Sequence, residues 1–180
     1  MWIQVMQSPL GELSAYWSSL GISRLLFGRS SDELHQAVGE KPASTFGAHA
    51  LASAMHEYFQ GGPLDFPLGY IDWTGTPEFH RRVLEACTMV VRGQTRTYGQ
   101  LAIVAGSPGA ARAVGQAMAR NRWPLIIPCH RVVGQSGQMT GYSGAGGVDT
   151  KRALLDFEAG RKLMPSISRQ TASQLGVLGK

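Results

Sequence analysis

The amino-acid sequence predicts an α+β protein: a small N-terminal antiparallel sheet with a helix, then a mainly helical part containing a helix-turn-helix. Three observations carry this. The first thirty residues alternate short apolar runs with turn signals. Residues 47–60 and 76–92 repeat apolar side chains at helical spacing. Two short helical segments then flank the turn Gly106-Ser107-Pro108-Gly109.

In chain order, Trp2–Met6, Leu13–Trp17 and Ile22–Phe27 read as strands, separated by turns at Ser8-Pro9-Leu10-Gly11 and Leu20-Gly21. The helix over 47–60 aligns Ala48, Leu51, Ala52, Met55, Tyr58 and Phe59, and Gly61-Gly62-Pro63 stops it. Pro63 to about Gly75 reads as a linker. Thr76 as N-cap, Pro77 and Glu78 open the next helix, whose buried stripe is Phe79, Val83, Leu84, Cys87, Val90 and Val91; Arg92-Gly93-Gln94 ends it. Tyr98–Ala105 and Ala110–Arg120 form the helix-turn-helix, a signal that plain helix packing also produces. In the second of these helices Ala110, Ala111, Ala113, Gly115, Ala117 and Ala119 are all small, which permits close approach to a protein surface or a DNA groove. Arg112 sits in its first turn, where the helix dipole disfavours a cation. A last helix runs over about Asp149–Ala159.

Size and charge narrow the function. At 180 residues the chain can form one domain or two small ones. It has no apolar run of the ~18–20 residues that span a bilayer, no signal peptide and no paired-cysteine metal spacing. A reducing cytoplasmic setting is expected, with no membrane partner, no metal and no cofactor. The net charge of +5 is uneven: residues 1–73 carry three basic and seven acidic groups, a net of −4, whereas residues 74–162 carry twelve and five, a net of +7. We divide the chain there, into 1–73, 74–162 and a tail, 163–180, expected to be mobile. A basic surface favours a polyanionic partner, although a merely solvated face has the same composition.

The basic part holds the run Ile127-Pro128-Cys129-His130-Arg131-Val132-Val133. Cys129 follows an apolar stretch and precedes two cation-forming residues, and nearby positive charge raises the thiolate fraction that makes sulfur nucleophilic. A small buried core cysteine is the plainer alternative. Cys87 keeps that plainer reading, since the apolar stripe of its helix offers no charged neighbour. His130 is the natural base; adjacent side chains seldom face each other, so a bridging water is expected. A neutral histidine needs a third group to fix its tautomer. Glu158, among apolar residues of LLDFEAG, is the candidate, against the alternative of a solvated glutamate. Between them, residues 134–147 include six glycines, a loop whose backbone can approach a ligand closely.

These motifs together resemble the O6-alkylguanine-DNA alkyltransferases (methylated-DNA–protein-cysteine methyltransferases). The resemblance runs from about Thr76 to Lys162 through RGQTRTYGQLA (92–102), GSPGAARAVGQAM (106–118), LIIPCHRVV (125–133), GYSGAGG (141–147) and KRALLDFEAG (151–160). The N-terminal half is similar more loosely, at SPLGEL (8–13) and HEYFQG (56–61). The family implies that Cys129 takes the alkyl group from O6-alkylguanine in double-stranded DNA, once and irreversibly. His130 would deprotonate it through water and Glu158 would orient His130. The helix bearing Ala110, Ala111 and Gly115 would enter the minor groove, with Arg112 replacing the flipped base and Tyr98 helping to rotate it. Asn121 would brace the active-site turn. Pro124, Tyr142, Ser143 and Gly144 would line the alkyl pocket, and the carbonyls of Cys129 and Val132 would receive the guanine amine.

The chain departs from the family pattern at Thr140-Gly141, in its longer glycine run, and at Ala159 after Glu158. The expected state is a monomer; clustering along DNA and acceptance of O4-alkylthymine stay open. Competing readings are a plain DNA-binding regulator with an incidental cysteine, a lesion-binding relative that lacks the nucleophile, and a Cys-His-Glu hydrolase. Cys129 argues against the second, and the basic helix-turn-helix against the third.

Overall fold

The computed structural model describes residues 1–27, 46–139, 141, 142, 144 and 146–163. It is an α+β fold. Strands β1 (Trp2–Ser8), β2 (Gly11–Trp17) and β3 (Ile22–Phe27) form an antiparallel meander in chain order. Ser8 shapes the first turn: its hydroxyl accepts from Leu10 N and donates to Gly11 O. Alternation puts Leu13, Ala15, Trp17, Leu25 and Phe27 on the buried face. Helix α1 (Phe46–Phe59) buries Ala48, Leu51, Ala54, Met55 and Tyr58. Residue 52, expected in that stripe, is half-buried.

The stretch from Pro63 to Gly75 is packed rather than open. Phe66, Ile71 and Asp72 are buried, and Ile71 bridges to Ile22 of β3. Helix α2 (Glu78–Thr88) then begins after Pro77, without a side-chain cap. Thr76 does not cap it as expected; its hydroxyl accepts from Arg122, which also donates to Thr74 O and Asp72 O. The helix also ends before Arg92, so Val91 leaves the stripe and is exposed.

Strand β4 (Arg96–Thr97) leads directly into α3 (Tyr98–Val104). A capping box fixes the junction: Thr97 Oγ1 accepts from Gln100 N, and Gln100 Oε1 accepts from Thr97 N. Gly106 and Gly109, both at positive φ, turn the chain into α4 (Ala111–Ala119). A short 3-10 turn, Cys129–Arg131, runs into β5 (Val132–Val133), and α5 (Gly147–Glu158) closes the described chain. Strand β5 pairs in parallel with β4. This two-residue ladder sets the start of α3 beside the end of the Cys129 turn.

One contiguous core takes side chains from both sides of position 73, including Trp2, Leu51 and Tyr58 as well as Leu84, Leu101, Ile127 and Leu154. Burying each large apolar side chain contributes roughly 1.5–3 kcal/mol. Hydrogen bonds cross the same boundary. Trp123 Nε1 donates to Ile22 O at 2.8 Å, Leu25 N to Arg122 O at 2.8 Å, and Tyr58 to Glu158 at 2.9 Å. Among the described residues no helix is long and apolar enough to cross a membrane.

Candidate active site

Cys129 opens the 3-10 turn at the floor of a cleft of about 440 Å³. Tyr98 of α3, Ala111, Gly115, Met118 and Ala119 of α4, and Gly141 and Tyr142 of the glycine loop line the rest. Cys129 is only 5% exposed. The turn before it is braced by Asn121, whose Nδ2 donates to Ile127 O at 2.9 Å and whose Oδ1 accepts from Trp123 N at 3.0 Å. Between these anchors Leu125 holds a φ of +72°, a strained value for a residue with a side chain. The brace therefore holds a local conformation that the chain alone would relax.

Behind the cysteine lies a buried polar network centred on Glu158. His130, fully buried, is 2.8 Å from Glu158 Oε1 through its Nε2. Arg131 forks onto the carboxylate, Nε to Oε2 at 2.9 Å and Nη2 to Oε1 at 2.8 Å, and its Nη1 donates to Val90 O at 2.6 Å. Tyr58 Oη donates to Oε1 at 2.9 Å, and Gly93 N approaches Oε2 at 3.5 Å. Burial alone would raise the Glu158 carboxyl. The hydrogen bonds and charges of His130 and Arg131 together outweigh that and hold it well below the usual carboxylate range. For His130 burial is the largest influence and lowers it; Glu158 opposes, and Arg131 and Lys151 add to the lowering. His130 is thus neutral near pH 7. A carboxylate can only accept, so His130 carries its proton on Nε2 and keeps a lone pair on Nδ1. Among the described residues Nδ1 has no hydrogen-bond partner.

The other expected site residues are spread over the cleft, an adjoining hollow and a neighbouring groove. Tyr98, Ala111 and Gly115 line the Cys129 cleft, and Ala110 is the residue just before α4. Arg112 is exposed at the start of α4 and lines the adjoining hollow with Tyr98 and Gln135. Ala117, read as part of the small exposed face, is buried in the core instead, because it lies on the opposite side of α4. Pro124 and Gly144 line a neighbouring groove between β3 and the end of α4, not the cleft itself. Ser143 lies outside the described residues. Val132 is buried, and its carbonyl accepts from Lys151 Nζ at 2.6 Å. Cys87 is a buried core cysteine, as expected: burial and then Cys129 raise its thiol, while Arg131 and Lys151 on neighbouring elements oppose them.

Sequence reading missed four contributors. Arg131 was noted only as a charge beside the thiol, Tyr58 only as a core residue, and Arg92 only as a helix end. Lys151, completely buried beside Val132, carried no signal of its own. The Thr97-Tyr98-Gly99-Gln100 spacing was a legible capping box that would have fixed Tyr98 at the first turn of α3.

Residues 78–160 match the family model described as the 6-O-methylguanine DNA methyltransferase, DNA binding domain. A methylated-DNA–protein-cysteine methyltransferase of Mycobacterium leprae is 40% identical over 155 residues, covering 85% of this chain and 89% of that protein. The chain belongs to this family. A methyltransferase of the same name from Mycobacterium tuberculosis is 46% identical over 107 residues, 59% of this chain; the chain spans 62% of that relative's length. Among solved methyltransferase structures, Mycobacterium tuberculosis OGT in complex with DNA aligns with a TM-score of 0.70 at 36% identity, covering 91% of this chain and 96% of that one.

Proposed function

We propose that the chain is a methylated-DNA–protein-cysteine methyltransferase that repairs duplex DNA by moving the alkyl group of O6-alkylguanine onto its own Cys129. The observation that carries this is the position of Cys129: at the floor of a cleft walled by the helix-turn-helix and backed by the His130–Glu158 pair. The thiol proton passes through a water to His130 Nδ1. Sγ then attacks the alkyl carbon; the S–C bond forms as the C–O6 bond breaks, and the guanine leaves as an anion that takes a proton. Glu158 fixes the tautomer and offsets the charge that develops on His130.

The α4 face supports base extrusion. Ala111 and Gly115 allow a close approach to the minor groove, and Arg112 fills the gap left by the flipped base. Tyr98 crowds the target phosphate and then faces the purine N3. Tyr142 bounds the alkyl group in the cleft, and the Cys129 carbonyl accepts the guanine amine. Asn121 keeps the turn beneath Cys129 in place. The thioether product has no leaving group, so each molecule reacts once.

Mass spectrometry after incubation with O6-methylguanine duplex tests this. One CH2 should be added to the peptide containing Cys129, in stoichiometric amount. Cys129→Ala should abolish transfer and keep DNA binding. Multiple turnovers, or transfer by the alanine variant, would overturn the proposal.

A further inference from the structure

The HEYFQG end of α1 (His56–Gly61) plays no part in the reaction as written, yet it reaches the reaction's polar network. Tyr58 is fully buried and comes from the N-terminal half. Its hydroxyl donates to Glu158 Oε1 at 2.9 Å, the oxygen that also bonds His130 and Arg131 Nη2, each at 2.8 Å. One carboxylate oxygen therefore serves three donors, and each donor draws on the charge available to the others.

The phenol is held in place from several sides. Its ring meets Phe59 edge-on at 5.1 Å and Phe157 at 5.7 Å between centroids. The Arg92 guanidinium lies over it at 5.0 Å and over Phe157 at 4.6 Å, while Arg92 donates to Tyr58 O, Gly62 O and Phe157 O. Arg92 thus ties the end of α1 to the end of α5, where Glu158 sits. Burial, and next the charge of Glu158, push the phenol far above its ordinary value, so it remains a donor throughout the working pH range.

We propose that Tyr58 is a positioning residue of the alkyl-transfer reaction: its hydroxyl, delivered by the N-terminal half, fixes Glu158 against His130 and limits how much carboxylate charge His130 receives. The inference rests on the reaction proposed above. The groups that act on His130 are Glu158 and Lys151 from α5 and Arg131 from its own turn; Cys129 adjoins it in that turn, and Tyr58 reaches it through Glu158. Cys87 of α2 and Tyr142 of the glycine loop face Cys129. Of these, Tyr58 is the neutral donor that shares Oε1 with His130. Removing its O–H frees carboxylate charge, which stabilises the imidazolium and raises the pH at which His130 titrates.

Single-turnover transfer to free O6-benzylguanine, measured against pH, tests this in the full-length protein together with an NMR titration of His130. Tyr58→Phe keeps the ring packing. It should raise both the kinetic midpoint and the His130 titration by about 0.5–1 unit, the scale of one hydrogen bond to an interacting charge. Tyr58→Leu should shift both in the same direction while also lowering the melting temperature. Unchanged midpoints in Tyr58→Phe, with at most a change in melting, would overturn the inference. A His130→Ala variant that transfers as fast as the parent would instead overturn the reaction on which it rests.

Discussion

The two walls of the Cys129 cleft are held in different ways. The inner wall is a closed network: His130, Arg131 and Tyr58 all converge on Glu158, and all are buried. The outer wall is a helix face of small side chains, with Arg112 exposed at its start. A buried charge needs partners whatever it does, so the inner wall is fixed in the protein alone. Under the proposed function, the outer wall takes its form from the duplex that lies against it. The two should therefore fail differently: inner-wall changes on every substrate, outer-wall changes on duplex DNA alone.

The largest effect is expected from Glu158→Gln. It leaves the Arg131 guanidinium buried without its counter-charge and His130 without a fixed tautomer. Losing one partner of a buried pair costs about 3–5 kcal/mol, and losing general-base assistance slows transfer by roughly 10²-fold or more. Urea melts and single-turnover rates on duplex and on free O6-benzylguanine check this; a loss confined to the duplex would break the distinction between the walls.

The same network sets the acid limb of stability. His130 and Glu158 both titrate lower in the folded protein than unfolded, so the unfolded chain binds more protons and stability falls as pH falls. His130 begins this loss below about pH 6.5 and Glu158 steepens it below about 4.3, their unfolded values. Melts across pH 7 to 3 should show both stages in the parent and a weaker lower one in Glu158→Gln, where Asp72, held low by its hydrogen bonds from Ser18 and Thr74, still contributes; identical profiles would remove Glu158 as a source of the acid limb.

Arg112→Ala probes the outer wall and should act less strongly. Extruding a base costs a few kcal/mol, so loss of the filling side chain slows repair of duplex about 10- to 100-fold. Free O6-benzylguanine should react at the parental rate. Equal slowing on both substrates would show that Arg112 does not act through the duplex.

This contrast also explains what could be read in advance. The strands, the helix-turn-helix and Cys129-His130 were legible because they are local patterns: alternation, helical spacing, adjacent residues. Thr76 read as a cap because that depends on three residues, yet Arg122, 46 positions away, takes its hydroxyl. Tyr58 and Glu158 are 100 positions apart, and each fits an apolar stripe. Nothing in periodicity distinguishes a tyrosine that fills the core from one whose hydroxyl completes a carboxylate. Glu158 stood out as a carboxylate among the apolar residues of LLDFEAG, whereas its partners Tyr58 and Arg131 emerge only from the fold.

The smallest effect is expected beside the cleft, at Gly144. A Cβ there would lie 2.4 Å from Phe27 Cζ and 2.5 Å from Tyr142 Cε1, so the rings or the backbone between them must move. Phe27 belongs to β3, and its ring is 6.2 Å from that of Tyr142, which lines the cleft. Gly144→Ala therefore shifts the pocket wall without touching the Glu158 network. Overpacking of this kind costs about 1–3 kcal/mol, and a loop that yields should place it at the low end. The displaced Tyr142 should narrow the pocket, so benzyl transfer should slow several-fold more than methyl transfer on the same duplex. The ratio of the two rates is the measure, because it is insensitive to the folded fraction. An unchanged ratio would mean that Phe27 gives way and Tyr142 stays, leaving the N-terminal sheet no control over the size of the alkyl group.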